Sequence, residues 1–144
     1  MFLGQHQTSF EADNRLAVPA RFRDLLAQGA YITQGFDRNL LVLSADAFQT
    51  IYARFTALNI ADPLARLLLR MILGSATELE IDASGHMLVP PKLREFAGLG
   101  ADAILVGQGE YIEVWTPGAW QQQELRLQDA EANAGRFAGL ELTA

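Results

Sequence analysis

Short runs of alternating or clustered apolar residues, broken every few positions by turn-forming residues, predict a succession of brief strands and short helices. The first run, "GQHQTSF", alternates weakly and ends in "EADN", where Asp13 and Asn14 favour a tight turn because asparagine tolerates positive φ. "RLAV" then returns as a short strand, so the two runs predict a hairpin. Pro19 suits the first position of a helix, having no amide proton to leave unpaired. "PARFRDLLAQG" therefore reads as a short helix with Phe22, Leu25 and Leu26 on its apolar side and Gly29 at its end. "AYITQG" and "NLLVLS" predict a second strand pair across the turn "FDRN". Ser44 is placed to cap the helix "ADAFQTIYARF" that follows.

The same order then recurs. Glu11 pairs with Asp82, Arg15 with His86, Val18 and Pro19 with Val89 and Pro90, Arg21 with Lys92, Arg23 with Arg94 and Asp24 with Glu95, all at an offset of 71. After one inserted residue near Asp102 the offset is 72, and Gly35 matches Gly107, Leu40 Ile112, Val42 Val114, Leu43 Trp115 and Phe48 Trp120. A fixed period sustained over this much sequence indicates internal duplication. Ser84 and Gly85 stand for Asp13 and Asn14 at the second turn, and Thr116 with Pro117 for Ser44 with Ala45, so different residues are expected to meet the same backbone demand. The organisation predicted is copy 1 at 5–50, a helical connector at 51–74, copy 2 at 75–122 and a C-terminal helix and tail at 123–144.

The connector contains "ADPLARLLLRMILGS", which has no counterpart elsewhere. Asp62 can cap it, Pro63 begin it and Gly74 end it, while Leu64, Leu67, Leu68, Met71 and Ile72 recur at helical spacing. Arg66 and Arg70 share one edge of that apolar face, as a solvated rim or a subunit contact. From Gln121 onward the chain predicts an extended helix that frays, because Asn133, Gly135 and Gly139 weaken helix. A half of about 50 residues with four short strands and two short helices buries too little alone, so the two halves must cover each other. This predicts a β-rich α+β fold whose hairpins interleave into one pseudo-symmetric barrel flanked by short helices.

Half of the 144 residues are apolar, enough for a core without covalent staples. The absence of cysteine excludes disulfides, thiolate zinc sites and thiol catalysis. No apolar run approaches the roughly 18 residues of a spanning helix, and "MFLGQHQTSF" lacks the features of a secretion signal, so a cytoplasmic location without a membrane partner is expected. The net charge of −6 disfavours indiscriminate attraction to a polyanion. It is unevenly spread: residues 1–72 hold seven arginines against six acids, a net of +1, while residues 73–144 hold four basic groups against eleven acids, a net of −7.

Arg15, Arg21 and Arg23 gather at the first turn and the helix behind it, and a guanidinium binds phosphate or guanine through two parallel donors. The structural alternatives are an exposed amphipathic helix face for Arg21 and Arg23, and an ion pair with Glu11 or Asp13 for Arg15. Catalysis has little support, because Asp82, His86 and His6 are the nearest to a catalytic set and no nucleophile turn, H-E-x-x-H or phosphate-cradling loop accompanies them. Two histidines are too few for a convincing metal site, and "GQGE" occupies the turn equivalent to "GFDR", where glycine serves geometry. No cofactor and no small-molecule substrate are expected.

An N-terminal "MF" and glycine, the charged turn ending at Arg15, and the run Leu16, Val18, Pro19, Arg21, Phe22, Arg23 resemble the MraZ family of transcriptional regulators. The second version of that motif, in Asp82, Gly85, Met87, Leu88 and Pro90, extends the resemblance over about residues 1–122. It implies two tandem AbrB-like swapped-hairpin domains in a bacterial, nucleoid-associated protein that binds double-stranded promoter DNA of the division and cell-wall gene cluster, with repression the expected effect. It also implies assembly into a homo-oligomeric ring. The family hallmark is an Asp-x-x-x-Arg turn in each copy. Here the turns are Glu11-x-x-x-Arg15 and Asp82-x-x-x-His86, each with one substitution. Glu11 is expected to pin the Arg15 guanidinium, whereas a histidine, mostly neutral near pH 7, grips phosphate more weakly. Arg15, with Asn14, Arg21 and Arg23, is the DNA-contact set this implies, and Glu11, Asp13, Asp82 and His86 support the turns. The rival reading is an antitoxin-type AbrB-like interaction module using Tyr111, Trp115 and Trp120 as aromatic anchors.

Overall fold

The duplication becomes a two-fold pattern of strand pairing in the computed structural model, which describes residues 1–141. Copy 1 supplies β1 (Gln5–Ser9), β2 (Arg15–Ala17), α1 (Ala20–Leu26), β3 (Ala30–Gln34), β4 (Leu40–Ser44) and α2 (Ala45–Thr56). The connector helix α3 (Pro63–Ile72) follows. Copy 2 supplies β5 (Thr77–Glu78), β6 (His86–Leu88), α4 (Pro91–Phe96), β7 (Asp102–Gly107), β8 (Tyr111–Trp115) and α5 (Pro117–Leu127), and α6 (Ala130–Phe137) ends the described chain.

Six strands form an antiparallel sheet in the order β1-β7-β8-β4-β3-β5, while β2 and β6 form a separate two-stranded ribbon. At the sheet centre Leu41 lies opposite its repeat equivalent Glu113, and around that pair Leu40 lies opposite Val114 and Val42 opposite Ile112, the two-fold exchange expected of equivalent strands β4 and β8. The ribbon obeys the same symmetry, with Leu16 opposite its equivalent Met87. Each copy lends its first strand to the other: β1 pairs with β7, and β5 with β3. The predicted hairpin of β1 and β2 is therefore a turn whose arms diverge to partners in copy 2, joined to each other by the Phe10–Leu16 bridge and by Thr8 Oγ1 donating to the Ala17 carbonyl. Ile81–Met87 is the matching bridge in copy 2, and the ladders do not run continuously around a barrel.

Exchange of strands creates one core from two halves. Leu16, Val18, Phe22, Leu26, Leu40 and Val42 pack in the same cluster as Met87, Val89, Leu93, Ala97, Ile112 and Val114. Period-2 burial explains the ribbon's contribution, since Leu16, Val18, Met87 and Val89 point inward and are at most 5% exposed. The helices start largely where capping chemistry places them. Ser44, Asp62 and Thr116 accept backbone amides from Ala47, Leu64 and Ala119. Pro19 and Pro90 sit one residue before the first helical turn, on extended backbone. Gly107 meets a close approach: its amide donates to the Gly4 carbonyl, and a Cβ there would overlap the Phe2–Leu3 backbone.

The connector and tail depart from expectation. On α3, Ala65 and Ile72 are buried, but Leu64 and Leu67 are 73% and 61% exposed, so the apolar face is only partly covered. Arg66 is exposed, as a solvated rim requires, and its Nη1 donates to the carbonyls of Ile60 and Ala61 in the preceding turn. Thr33 ties the connector to the sheet, donating to the Ile72 carbonyl and meeting Ser75 Oγ at 2.8 Å. The fraying helix of the tail is instead two helices. Asn133 and Gly135 lie within α6, because Asp129 caps it and the Asn133 amide closes α5 by donating to the carbonyls of Arg126 and Leu127. Residues 142–144 of the expected loose end lie outside the described residues.

Candidate nucleic-acid interface

The ribbon's outer face carries the residues singled out in the sequence. Because Leu16 and Met87 point inward, Arg15, Ala17, His86 and Leu88 share the opposite face, with Arg15 across from Leu88 and Ala17 across from His86. The two turns reach this ribbon by different routes. In the first, Asp13 and Asn14 both have positive φ, 50° and 66°, and the Arg15 amide donates to the Ala12 carbonyl, the mirror-image turn that asparagine favours. In the second only Gly85 has positive φ, 81°, so Ser84 does not repeat the role of Asp13. Asp82 builds that turn instead, its Oδ1 accepting the amides of Ser84 and His86.

Ion pairing crosses between the copies. Arg15 Nη1 donates to Asp82 Oδ2 at 2.6 Å, and His86 Nε2 lies 3.0 Å from Glu11 Oε2. Glu11 therefore does not pin Arg15, nor does Asp13; the acid of each turn faces the base of the other. Strand exchange is the cause, since antiparallel β2 and β6 bring two turns 71 residues apart to one ribbon. His86 Nδ1 is also 3.5 Å from Asp82 Oδ1, which places the imidazole between two carboxylates. The Asp82 carboxyl is held down at about 2, first by the His86 amide and then, against burial, by the Arg15 guanidinium and the Ser84 amide. It stays ionised and keeps its grip on Arg15.

Behind each turn stands an arginine from the opposite copy. Arg94 donates to Asn14 Oδ1 and to the carbonyls of Leu99 and Gly100, with its guanidinium 3.7 Å above the Phe10 ring. Arg23, its repeat equivalent, is half-buried against Gly85, where a Cβ would collide with its guanidinium. Arg23 was expected as a DNA contact, with an exposed helix face as the alternative; it is not exposed, and its guanidinium packs on the second turn with Nε buried and unpartnered among the described residues. Asn14 likewise has its side-chain oxygen occupied by Arg94. Arg21 is exposed, as is its equivalent Lys92, each near the start of the helix that follows a ribbon strand. Arg94 and Lys92 were absent from the expected site, although the repeat offset that pairs them with Arg23 and Arg21 points to both.

Other candidates fall elsewhere. His6 packs edge-on against Phe22 at 4.8 Å between ring centroids, with Nε2 3.2 Å from the Leu3 carbonyl. Trp115 and Trp120 are 5% and 6% exposed, their indole N–H groups donating to Glu113 and Gln5, and half-buried Tyr111 packs with Leu41, Leu43 and Phe48. They fill core rather than offering anchors to a partner. No helix among the described residues is long and apolar enough to cross a membrane.

Fold and site together define a class: a duplicated α+β protein whose copies exchange strands and place a charged turn at each end of a shared ribbon. Known proteins give that class its family. The family model described as "MraZ protein, putative antitoxin-like" matches residues 1–71 and again 72–138, following the internal duplication. The chain is 40% identical over 141 residues to the transcriptional regulator MraZ of Thermomicrobium roseum, covering 97% of this chain and 99% of that one. It is 38% identical over 138 residues to that of Roseiflexus castenholzii, covering 96% and 94%, and 39% identical over 137 to that of a Marinomonas strain, covering 90% and 91%. The chain belongs to the MraZ family; it is a transcriptional regulator and not an enzyme.

Proposed function

We propose that the chain regulates transcription by binding double-stranded promoter DNA directly, as a homo-oligomeric ring on repeated short boxes upstream of a bacterial division and cell-wall gene cluster, with repression as the outcome. It would then reside in the cytoplasm on the nucleoid. The observation that carries this reading is the Arg15 guanidinium, 45% exposed at the end of the ribbon and anchored through one Nη1 donor to Asp82. An anchored guanidinium loses less freedom on binding than a loose one, and its remaining donors suit the two acceptors of a phosphate or a guanine edge. Arg21, Asn14 and Lys92 supply the flanking contacts, while Arg23, Glu11, Asp13, Asp82 and His86 hold the turns.

Oligomerisation answers the acidic net charge. One protomer presents few contacts, but once one ribbon docks its neighbours search at high effective concentration, and avidity rises by roughly 100-fold to 10,000-fold where box spacing matches ring spacing. Fluorescence anisotropy on the chain's own upstream region, with light scattering for assembly size, tests both parts. Arg15→Ala is expected to weaken binding by about 10-fold or more with melting temperature nearly unchanged, and Arg15→Lys to retain salt-dependent binding while losing discrimination between box sequences. A strictly monomeric protein, or one that ignores promoter fragments at low ionic strength, overturns the proposal.

A further inference from the structure

The charged cluster across the ribbon's outer face has an unfinished proton count. Glu11 and Asp82 are two carboxylates, Arg15 is one fixed cation, and His86 lies between the acids with its side chain only 13% exposed. A neutral imidazole has a single N–H and can donate to one carboxylate, leaving the lone pair of its other nitrogen facing the second. The ring sits between the two charges: His86 Nε2 is buried 3.0 Å from Glu11 Oε2, and Nδ1 lies 3.5 Å from Asp82 Oδ1. An imidazolium carries a donor on each nitrogen and sets a positive charge within 3.0 Å of Glu11 and 3.5 Å of Asp82.

We infer that His86 is a proton-uptake site that sets DNA affinity, so that binding takes up a proton at the Glu11–His86–Asp82–Arg15 cluster and strengthens as pH falls. This rests on the reading that the ribbon's outer face contacts DNA. With His86 neutral the four groups, Arg15 included, carry a net charge of −1, and with His86 protonated they carry none, so each engaged protomer presents one more positive unit to the polyanion. Imidazole is the side chain whose ordinary charge change lies between about pH 5 and pH 8. Coupling is reciprocal: if the proton favours DNA, DNA favours the proton. The groups facing His86 are Glu11 from the β1–β2 turn, Asp82 from its own turn, and Arg15 of β2 through Asp82. Copy 1 has no such device, because an arginine stands at the equivalent position.

DNA affinity of the full chain, His86→Arg and His86→Gln is measured by anisotropy at constant salt from pH 8 to pH 5.5, with calorimetry in two buffers of different ionisation enthalpy to count protons. The wild type is expected to tighten by about 5-fold or more on going from pH 8 to pH 6, to take up a fraction of a proton per protomer, and to gain up to about 0.9 in salt slope per engaged protomer. His86→Arg is expected to bind tightly at every pH and His86→Gln weakly at every pH, neither taking up protons. Wild-type binding that is flat with pH, or a His86→Gln slope equal to that of the wild type, which would transfer the effect to His6, overturns the inference and leaves the DNA reading standing. If none of the three proteins binds DNA at any pH, both fall together. Melting curves of each variant at both pH extremes separate these outcomes from unfolding.

Discussion

Asp82 performs two tasks with one carboxylate, bracing its own turn through Oδ1 and fixing Arg15 of the other copy through Oδ2. Its carboxyl is lowered from the ordinary 3.8 to about 2, so the contribution of these contacts to stability is complete above pH 4 and is lost as pH falls through 2. Asp82→Asn is therefore expected to melt at a lower temperature than the wild type at pH 7, with a gap that holds down to about pH 4 and closes towards pH 2. Thermal melts at pH 7, 4, 3 and 2 read that pattern, and a gap independent of pH assigns the loss to altered turn shape instead. All four members of the charged cluster are legible in the repeat, because acid and base recur four residues apart in each copy. Their pairing is not legible. Local spacing favours partners within a turn, and only the β2–β6 ladder, formed between distant segments, brings Arg15 to Asp82 and Glu11 to His86. The same ladder turns Arg23 from a surface cation into a turn support.

Elements defined by local chemistry are the most readable part of the chain. Ser44 and Thr116 mark the starts of α2 and α5 because each hydroxyl accepts an amide three residues on, at 3.2 and 3.1 Å. Ser44→Ala and Thr116→Ala are each expected to cost about 1 kcal/mol in urea denaturation with an unchanged m-value, and nearly twice that together, since the two caps belong to different helices. The pairs β3–β4 and β7–β8 are equally legible, being joined by short turns. The partners of β1, β2, β5 and β6 are not, since a short strand with weak alternation has no means of naming its neighbour and is fixed by what it buries. α6 was hidden for another reason: its asparagine and glycine lower intrinsic propensity, but the Asp129 cap and the Asn133 contacts to the end of α5 supply what propensity lacks.

For the molecule as a whole, pseudo-symmetry raises the question of why one copy does not pair with itself. The interior answers through its unequal positions. Leu16 with Met87, Val18 with Val89, Leu40 with Ile112 and Val42 with Val114 exchange similar volumes, but Phe22 matches Leu93 and Leu26 matches Ala97. A self-paired copy 1 places two phenylalanines and two leucines where the native core holds one of each with a smaller partner. Overpacking of that kind costs roughly 1–3 kcal/mol. A self-paired copy 2 is short of the same volume and brings together two halves of net charge −7, whereas the native pairing sets −7 against +1. Separate fragments 1–74 and 75–144 are therefore expected to melt without cooperativity when dilute, and to recover strand signal and a cooperative transition as a 1:1 complex on mixing. Native mass spectrometry reads the stoichiometry and circular dichroism the folding. Equal populations of the mixed pair and both self-pairs would mean that the unequal residues do not specify the pairing. In the mixed complex Arg15 meets Asp82 as it does in the intact chain; in a self-paired copy 1 it meets Glu11, one methylene longer, so loss of packing and loss of the braced guanidinium should appear together.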